Sequence, residues 1–342
     1  AIIFYNEQEN CRRYSWKELK QKVFQLSHYF VSKKIKPGDR IAAVLPNIPE
    51  TVISFLSTSQ IGAIWSSCSS DFGPKAIIDR FKQIEPKVLI VTDYYFYNNK
   101  KINTLSNLKK ITKAIPSIQE IIIIPYSEDK VKNNYTDWNK IFENNSQFTK
   151  FLNLPFNHPL YILYSSGTTG VPKCIVHGAG GSLIQHLKEH QLHLNIQEND
   201  KVFYFTTCGW MMWNWLISVL ASKATIILYD GSPFVPNIDY LFNISEKENI
   251  NFFGTGAKYI DHLKLNNINI KKNYSLKNLN TIASTGSPLV NESFNYVYNN
   301  IKSDVHLASI SGGTDIVSCF VIGNRMQPVF SGEIQCAGLG MD

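Results

Sequence analysis

Short apolar segments alternating with amphipathic ones constrain this chain most. Arg40 to Leu45, Val88 to Thr92, Glu120 to Ile124 and Thr225 to Leu228 are apolar runs too brief for helices. Between them, apolar residues recur at helical spacing. In Ser15-Trp16-Lys17-Glu18 the hydroxyl and the carboxylate can satisfy the first free amides of a helix. Trp16, Leu19, Val23, Leu26 and Phe30 continue that helix, and Pro37-Gly38-Asp39 stops it. Pro49 opens a second helix through Gln60, and Pro74 to Gln83 is a third. Ala63 to Ser67 reads as a strand. In the second half, strands are predicted at 160–164, 173–177, 201–206, 224–229, 279–284 and 304–308. Helices are predicted at 181–193, 237–248, 257–264 and 289–300. This alternation predicts βαβ units, an α/β fold and mainly parallel sheets covered on both faces.

The 342 residues suffice for about two lobes. An apolar fraction of 44% against 18% charged excludes a disordered chain. No run approaches the ~20 apolar residues of a membrane span. Residues 126–157 are polar and Asn-rich and read as a connection, so the lobes are expected at 1–157 and 158–325, with 326–342 starting a β-rich third lobe. The net charge of +7 is carried by scattered lysines with only five arginines, a solvated surface and no nucleic-acid site. Six widely spaced cysteines without a C-x-x-C pair suit reduced thiols in a cytoplasmic protein. Ala1-Ile2-Ile3-Phe4 reads as a core strand without an initiator Met, and the chain is expected to be a piece of a longer one.

The strongest chemical signal is Tyr164-Ser165-Ser166-Gly167-Thr168-Thr169-Gly170-Val171-Pro172-Lys173. An apolar strand runs into four hydroxyls, two glycines and a lysine. The glycines let backbone amides approach a ligand, the hydroxyls donate to phosphate oxygens, and Lys173 adds positive charge. Such a loop suits a polyphosphate, although it lacks the Walker spacing. A second pattern, His186-Leu187-Lys188-Glu189-His190, fits H-x-x-E-H. Two histidines on one helix face would either ligate zinc or simply belong to a His-rich helix.

The 164–173 segment resembles the signature loop of the adenylate-forming superfamily of acyl-CoA synthetases, luciferases and adenylation domains, with Cys174 where that family usually has Gly. Within it, the chain resembles the acetoacetyl-CoA synthetases. Trp65 to Gly73 resembles the acyl-CoA synthetases of short acids, and Ile175 to Gly178, His186 to His190, Thr206 to Trp215, Tyr229 to Phe234, Ser309 to Phe320 and Gly332 to Cys336 carry the likeness to the acetoacetyl-CoA synthetases.

The resemblance implies two αβ lobes packed face to face. It implies that Ser165, Ser166, Gly167, Thr168, Thr169, Gly170 and Lys173 hold the ATP phosphates, and that backbone at Gly286, Ser287 and Pro288 lines the adenine. Ser311 to Asp315 matches the motif Y-G-x-T-E, so Gly313 and Thr314 would meet the nucleotide and Asp315 would hold Mg²⁺, with Ser311 replacing the aromatic. Lys173, Thr314 and Asp315 are thus the implied catalytic residues. Trp210 to Trp215 is either a buried helix start or the wall of a short acyl pocket formed by Gly209, Trp210, Met211, Met212 and Asn214.

The implied activity is ATP-dependent conversion of acetoacetate to an acyl-adenylate and then, with CoA as cosubstrate, to acetoacetyl-CoA, AMP and pyrophosphate. Other readings are a ligase of acetate or propionate, a zinc hydrolase through His186 and His190, and a non-catalytic nucleotide-binding module. The resemblance also places a ribose-binding Asp and a C-terminal domain with a catalytic Lys beyond residue 342, so the chain by itself is expected to turn over poorly.

Overall fold

Ser15 caps the helix Trp16–Ser32 in the manner the sequence predicts: its Oγ accepts from the Glu18 amide at 3.2 Å, and Glu18 Oε2 accepts from the Ser15 amide at 2.8 Å. Leu19, Val23, Leu26 and Phe30 are buried along one face, and the helix packs on the helix Pro49–Gln60. The computed structural model describes residues 1–126, 135–165 and 170–341.

These helices belong to a unit of residues Tyr14–Ser182 and Thr207–Met211. Its sheet has the order Lys173–Gly178, Pro159–Ser165, Ile64–Ser69, Arg40–Leu45, Val88–Thr92, Glu120–Ile124, Thr136–Asp137. Neighbours run parallel except Lys173–Gly178, which is antiparallel to Pro159–Ser165. Val88–Thr92 is buried throughout, as a strand covered on both faces must be. Ile77, Phe81 and Ile84 of the helix Pro74–Ile84 close one side of this core.

The other unit comprises Ala1–Arg13, Leu183–Thr206 and the chain from Met212 onward. Its sheet has the order His306–Ser309, Thr281–Thr285, Phe252–Gly256, Lys201–Tyr204, Thr225–Asp230, Ile2–Asn6, Cys11–Tyr14. From His306–Ser309 to Ile2–Asn6 every neighbouring pair is parallel. Ser311–Gly313, Ser318–Ile322 and Cys336–Ala337 form a small antiparallel sheet in the same unit.

The structure divides the chain differently from the expected 157/158 boundary. Strands Pro159–Ser165 and Lys173–Gly178 extend the first sheet, and the N-terminal strand Ile2–Asn6 pairs with Thr225–Asp230 in the second. Residues 326–341 do not separate from the second unit. The expected loop at 126–157 contains, among its described residues, the strand Thr136–Asp137 and the helix Trp138–Ile141. The helix expected at 181–193 is α-helical over Ala179–Leu187 and π-helical over Lys188–His193.

One core strand escaped the sequence pattern. Phe252–Gly256 lies in the middle of the second sheet but carries two glycines. A Cβ at Gly254 would meet the Tyr204 ring at 2.1 Å, so the neighbouring strand's tyrosine takes the space of the missing side chain. Among the described residues no helix is long and apolar enough to cross a membrane.

Candidate active site

Ser165, from the loop expected to hold phosphate, lies at the carboxyl end of a parallel strand, where open α/β sheets bind ligands. Ser165 ends the strand Pro159–Ser165 and sits opposite Lys173, the first residue of the antiparallel return. Ser165 is half-buried, whereas Gly170 and Lys173 are exposed. Ser166, Gly167, Thr168 and Thr169 lie outside the described residues. The frame of this hairpin is held from the helix Pro74–Ile84: Gln83 Nε2 donates to the Pro172 carbonyl at 2.9 Å, and the Arg80 guanidinium lies 5.6 Å from the Tyr164 ring centre. Ser66 Oγ donates to the Tyr164 hydroxyl oxygen at 2.9 Å. Cys174 is half-buried, and burial pushes its thiol up.

In the same unit, Thr207–Met211 is fastened over the ends of two strands. Ser67 Oγ donates to the Cys208 carbonyl at 2.6 Å, and the Cys208 thiol donates to the Leu45 carbonyl at 2.8 Å. Gly209 and Met211 are half-buried and Trp210 is 63% exposed. The aromatic run then changes character. Trp213 and Trp215, on the helix Met211–Ser218, are core residues of the other unit, Trp215 packing edge-on against His190 at 4.3 Å. Met212 is half-buried. Asn214 is buried with 3% exposure, and neither amide atom has a hydrogen-bond partner among the described residues.

The remaining candidates leave the carboxyl ends of two adjacent parallel strands of that unit. Gly286, Ser287 and Pro288 follow Thr281–Thr285, and Ser311 to Asp315 follow His306–Ser309. Thr285 Oγ1 donates to the Ile310 carbonyl at 2.8 Å and binds the two exits together. Ser311–Gly313 turns back through Thr314 to Val317 into Ser318–Ile322. The approach of the two limbs is close: a Cβ at Gly312 would lie 2.1 Å from the Ser318 carbonyl oxygen. Gly313 and Thr314 are half-buried, while Ser311 and Asp315 are exposed. An exposed carboxylate on a turn, with no ion pair among the described residues, fits a Mg²⁺ that keeps most of its water and takes its other ligands from phosphates.

The histidine pattern has a structural explanation. His186 uses both ring nitrogens, Nδ1 with Ser218 Oγ at 2.8 Å and Nε2 with the Val317 carbonyl at 2.9 Å. His190 is fully buried, and burial followed by the neighbouring His186 holds it neutral. His193 Nε2 accepts from the Leu339 amide at 2.9 Å. Among the described residues no group of three or more His, Cys, Asp or Glu is placed to hold a metal. With both His186 ring nitrogens engaged by Ser218 and Val317, the zinc reading is not favoured. Glu189, the acid of that pattern, accepts from the Trp215 indole at 2.9 Å and from Ser318 and Cys319. A buried carboxylate between two histidines was the available signal.

The chain is similar to known proteins in both sequence and fold. An acetoacetyl-coenzyme A synthetase of Rhizobium meliloti (strain 1021) is 49% identical over 347 residues, covering 100% of this chain and 53% of that protein. An acetoacetyl-CoA synthetase of Gallus gallus is 45% identical, covering 97% of this chain and 51% of that protein. The solved acetoacetyl-CoA synthetase from Streptomyces lividans superposes with a TM-score of 0.95 at 36% identity, covering 99% of this chain and 53% of that one. The chain thus spans about half the length of the relatives it matches. The sequence model described as AMP-binding enzyme matches residues 1–328, and the chain belongs to that family.

Proposed function

We propose that the chain supplies the nucleotide- and acyl-binding part of an acetoacetate–CoA ligase that works through an acyl-adenylate, in the cytoplasm. What supports this reading is one observation above others: 49% identity to the Rhizobium meliloti acetoacetyl-coenzyme A synthetase across this whole chain. Six cysteines with no disulfide among the described residues favour the compartment.

A carboxylate is a poor electrophile, because its charge is delocalised and its leaving group would be oxide. Attack of an acetoacetate oxygen on the α-phosphorus of ATP forms the P–O bond of a mixed anhydride and breaks the bond to pyrophosphate. The CoA thiolate then attacks the acyl carbonyl and expels AMP. Positioning and charge neutralisation are what the protein contributes. The 165–173 loop and Lys173 hold the β- and γ-phosphates, and backbone at Gly286 to Pro288 lines the adenine. Gly313 and Thr314 meet the α-phosphate. Asp315 would hold Mg²⁺, which neutralises charge on the phosphates when bound. Gly209, Trp210, Met211, Met212 and Asn214 bound the acyl group, and the bulk of Trp210 and the two methionines keeps the pocket short.

The test is binding of non-hydrolysable acyl-sulfamoyl adenosines carrying acetoacetyl, acetyl, propionyl or butyryl groups, with AMP release followed in parallel. The acetoacetyl compound is expected to bind at least about tenfold more tightly than the others, the worth of one well-placed polar contact. Lys173→Ala is expected to weaken ATP binding while sparing the analogues, which have no β- or γ-phosphate. A different preferred acyl group would overturn the substrate and leave the adenylation chemistry standing. Equal loss of ATP and analogue binding would overturn the role of Lys173.

A further inference from the structure

The turn that carries Thr314 and Asp315 does not hold its own shape. Val317 closes it at a φ of 50°, a left-handed conformation disfavoured for a β-branched residue. Its amide reaches the Thr314 carbonyl only at 3.3 Å. Such a conformation persists where surrounding contacts fix it. Those contacts come from one helix turn. His186 Nε2 bonds the Val317 carbonyl at 2.9 Å. Glu189 Oε1 accepts from Ser318 Oγ at 2.5 Å, from the Cys319 amide at 3.2 Å and from the Cys319 thiol at 3.1 Å. Burial, and then the Glu189 carboxylate, push that thiol up and keep it a donor. Gln185 Nε2 donates to Glu189 Oε1 at 2.8 Å, and the Trp215 indole donates to Oε2 at 2.9 Å. Three successive residues, Val317 to Cys319, are thereby clamped, and the close approach at Gly312 passes their position to the outgoing limb.

We propose that Glu189 is a positioning residue for nucleotide binding, acting through Ser318 and Cys319 to set the Thr314–Asp315 turn. This rests on the reading of Asp315 given above. The π-helical turn Lys188–His193 is where the sequence places this carboxylate, and one residue of register there would swing it away from the hairpin.

The test is a double-mutant cycle on MgATP binding by titration calorimetry, with Tm recorded for every variant. Glu189→Gln keeps the size and puts an NH₂ group among converging donors. It is expected to weaken MgATP binding about fivefold or more in the otherwise unaltered chain, and by less than about twofold in an Asp315→Asn background. Multiplying effects would mean that Glu189 acts elsewhere and would overturn the proposal. Ser318→Ala removes one donor and is expected to show the same non-additivity with a smaller effect, so it decides the matter should Glu189→Gln fail to fold. Glu248→Gln disturbs another buried carboxylate of the same unit, bonded to Tyr5 and Arg13, and is expected to lower Tm without coupling to Asp315. Normal MgATP binding by Asp315→Asn marks failure of the underlying reading. An impaired Asp315→Asn beside a normal Glu189→Gln marks failure of the positioning role alone.

Discussion

Thr285 Oγ1 donates to the Ile310 carbonyl at 2.8 Å, joining the exits of two neighbouring strands whose loops carry Gly286 to Pro288 and Ser311 to Asp315. Backbone pairing aligns the strands themselves, with Ile310 N bonding the Ser284 carbonyl at 2.8 Å. The side-chain bond fixes what happens just beyond. Thr285→Val keeps the shape and removes the donor. A loss of about 1 kcal/mol in unfolding free energy is expected, the usual worth of one such bond. ATP should bind more weakly by a larger factor than that stability loss alone would give, because two loops lose their common reference. Urea titration and calorimetry together check this. Unchanged ATP affinity would show that the loops are set independently.

At Gly254 the prediction is steric. An added methyl meets the Tyr204 ring at 2.1 Å, and that ring is enclosed by Trp215 at 5.8 Å and Phe252 at 6.5 Å. Neither a rotamer change nor a strand shift is cheap in a packed core. Gly254→Ala is expected to destabilise by about 3 kcal/mol. The penalty should shrink sharply in a Tyr204→Ala background, where the methyl has room. Equal penalties in both backgrounds would locate the cost in the backbone instead.

These two sites show what the sequence could and could not disclose. Local signals survived intact: the helix Pro49–Gln60 begins at its proline, and Arg40–Leu45 and Val88–Thr92 are strands from end to end. Non-local pairing did not. Nothing in Pro159–Ser165 says that it will sit beside Ile64–Ser69, and nothing in Ile2–Asn6 names Thr225–Asp230 as its neighbour. Phe252–Gly256 was invisible because its glycine answers a tyrosine 50 residues away in sequence. The loop ending at Lys173 could be read as a proposed phosphate site from its own hydroxyls, glycines and lysine, whereas the roles proposed at Gly286 and Thr314 rest on family resemblance alone. Glu189 was legible only as an acid between histidines, since its partners at Ser318 and Cys319 come from a distant strand.

Acid should weaken the second unit before it reaches the carboxylates. Burial lowers the folded-state pKa of His190, His193 and His306, all of them in that unit. Below about pH 6.5 the unfolded chain binds protons that the folded chain refuses, so stability falls with falling pH. For His190, whose shift is the largest of the three, the slope approaches about 1.4 kcal/mol per pH unit below that point. Urea unfolding between pH 7 and pH 5 checks it, the window ending before carboxylates join. His190→Phe keeps the edge-on contact with Trp215 and should flatten the curve by that amount. A variant with an unchanged slope would place the proton uptake on another group.

Asn214 should behave oppositely to most buried residues. Its amide is 3% exposed and makes no hydrogen bond among the described residues, a state that costs about 1–3 kcal/mol in a folded protein. Asn214→Leu keeps the branched shape and leaves no unmet polar atom, so Tm is expected to hold or rise. The amide is also the one carboxamide in the proposed acyl wall, and a 3-keto oxygen would satisfy its NH₂. The variant should therefore lose the preference for acetoacetyl- over butyryl-sulfamoyl adenosine while still binding both. The two readouts must move together, stability held and discrimination lost. A Tm that drops by several degrees, with discrimination intact, would mean that the amide serves the fold and that the keto group is read elsewhere.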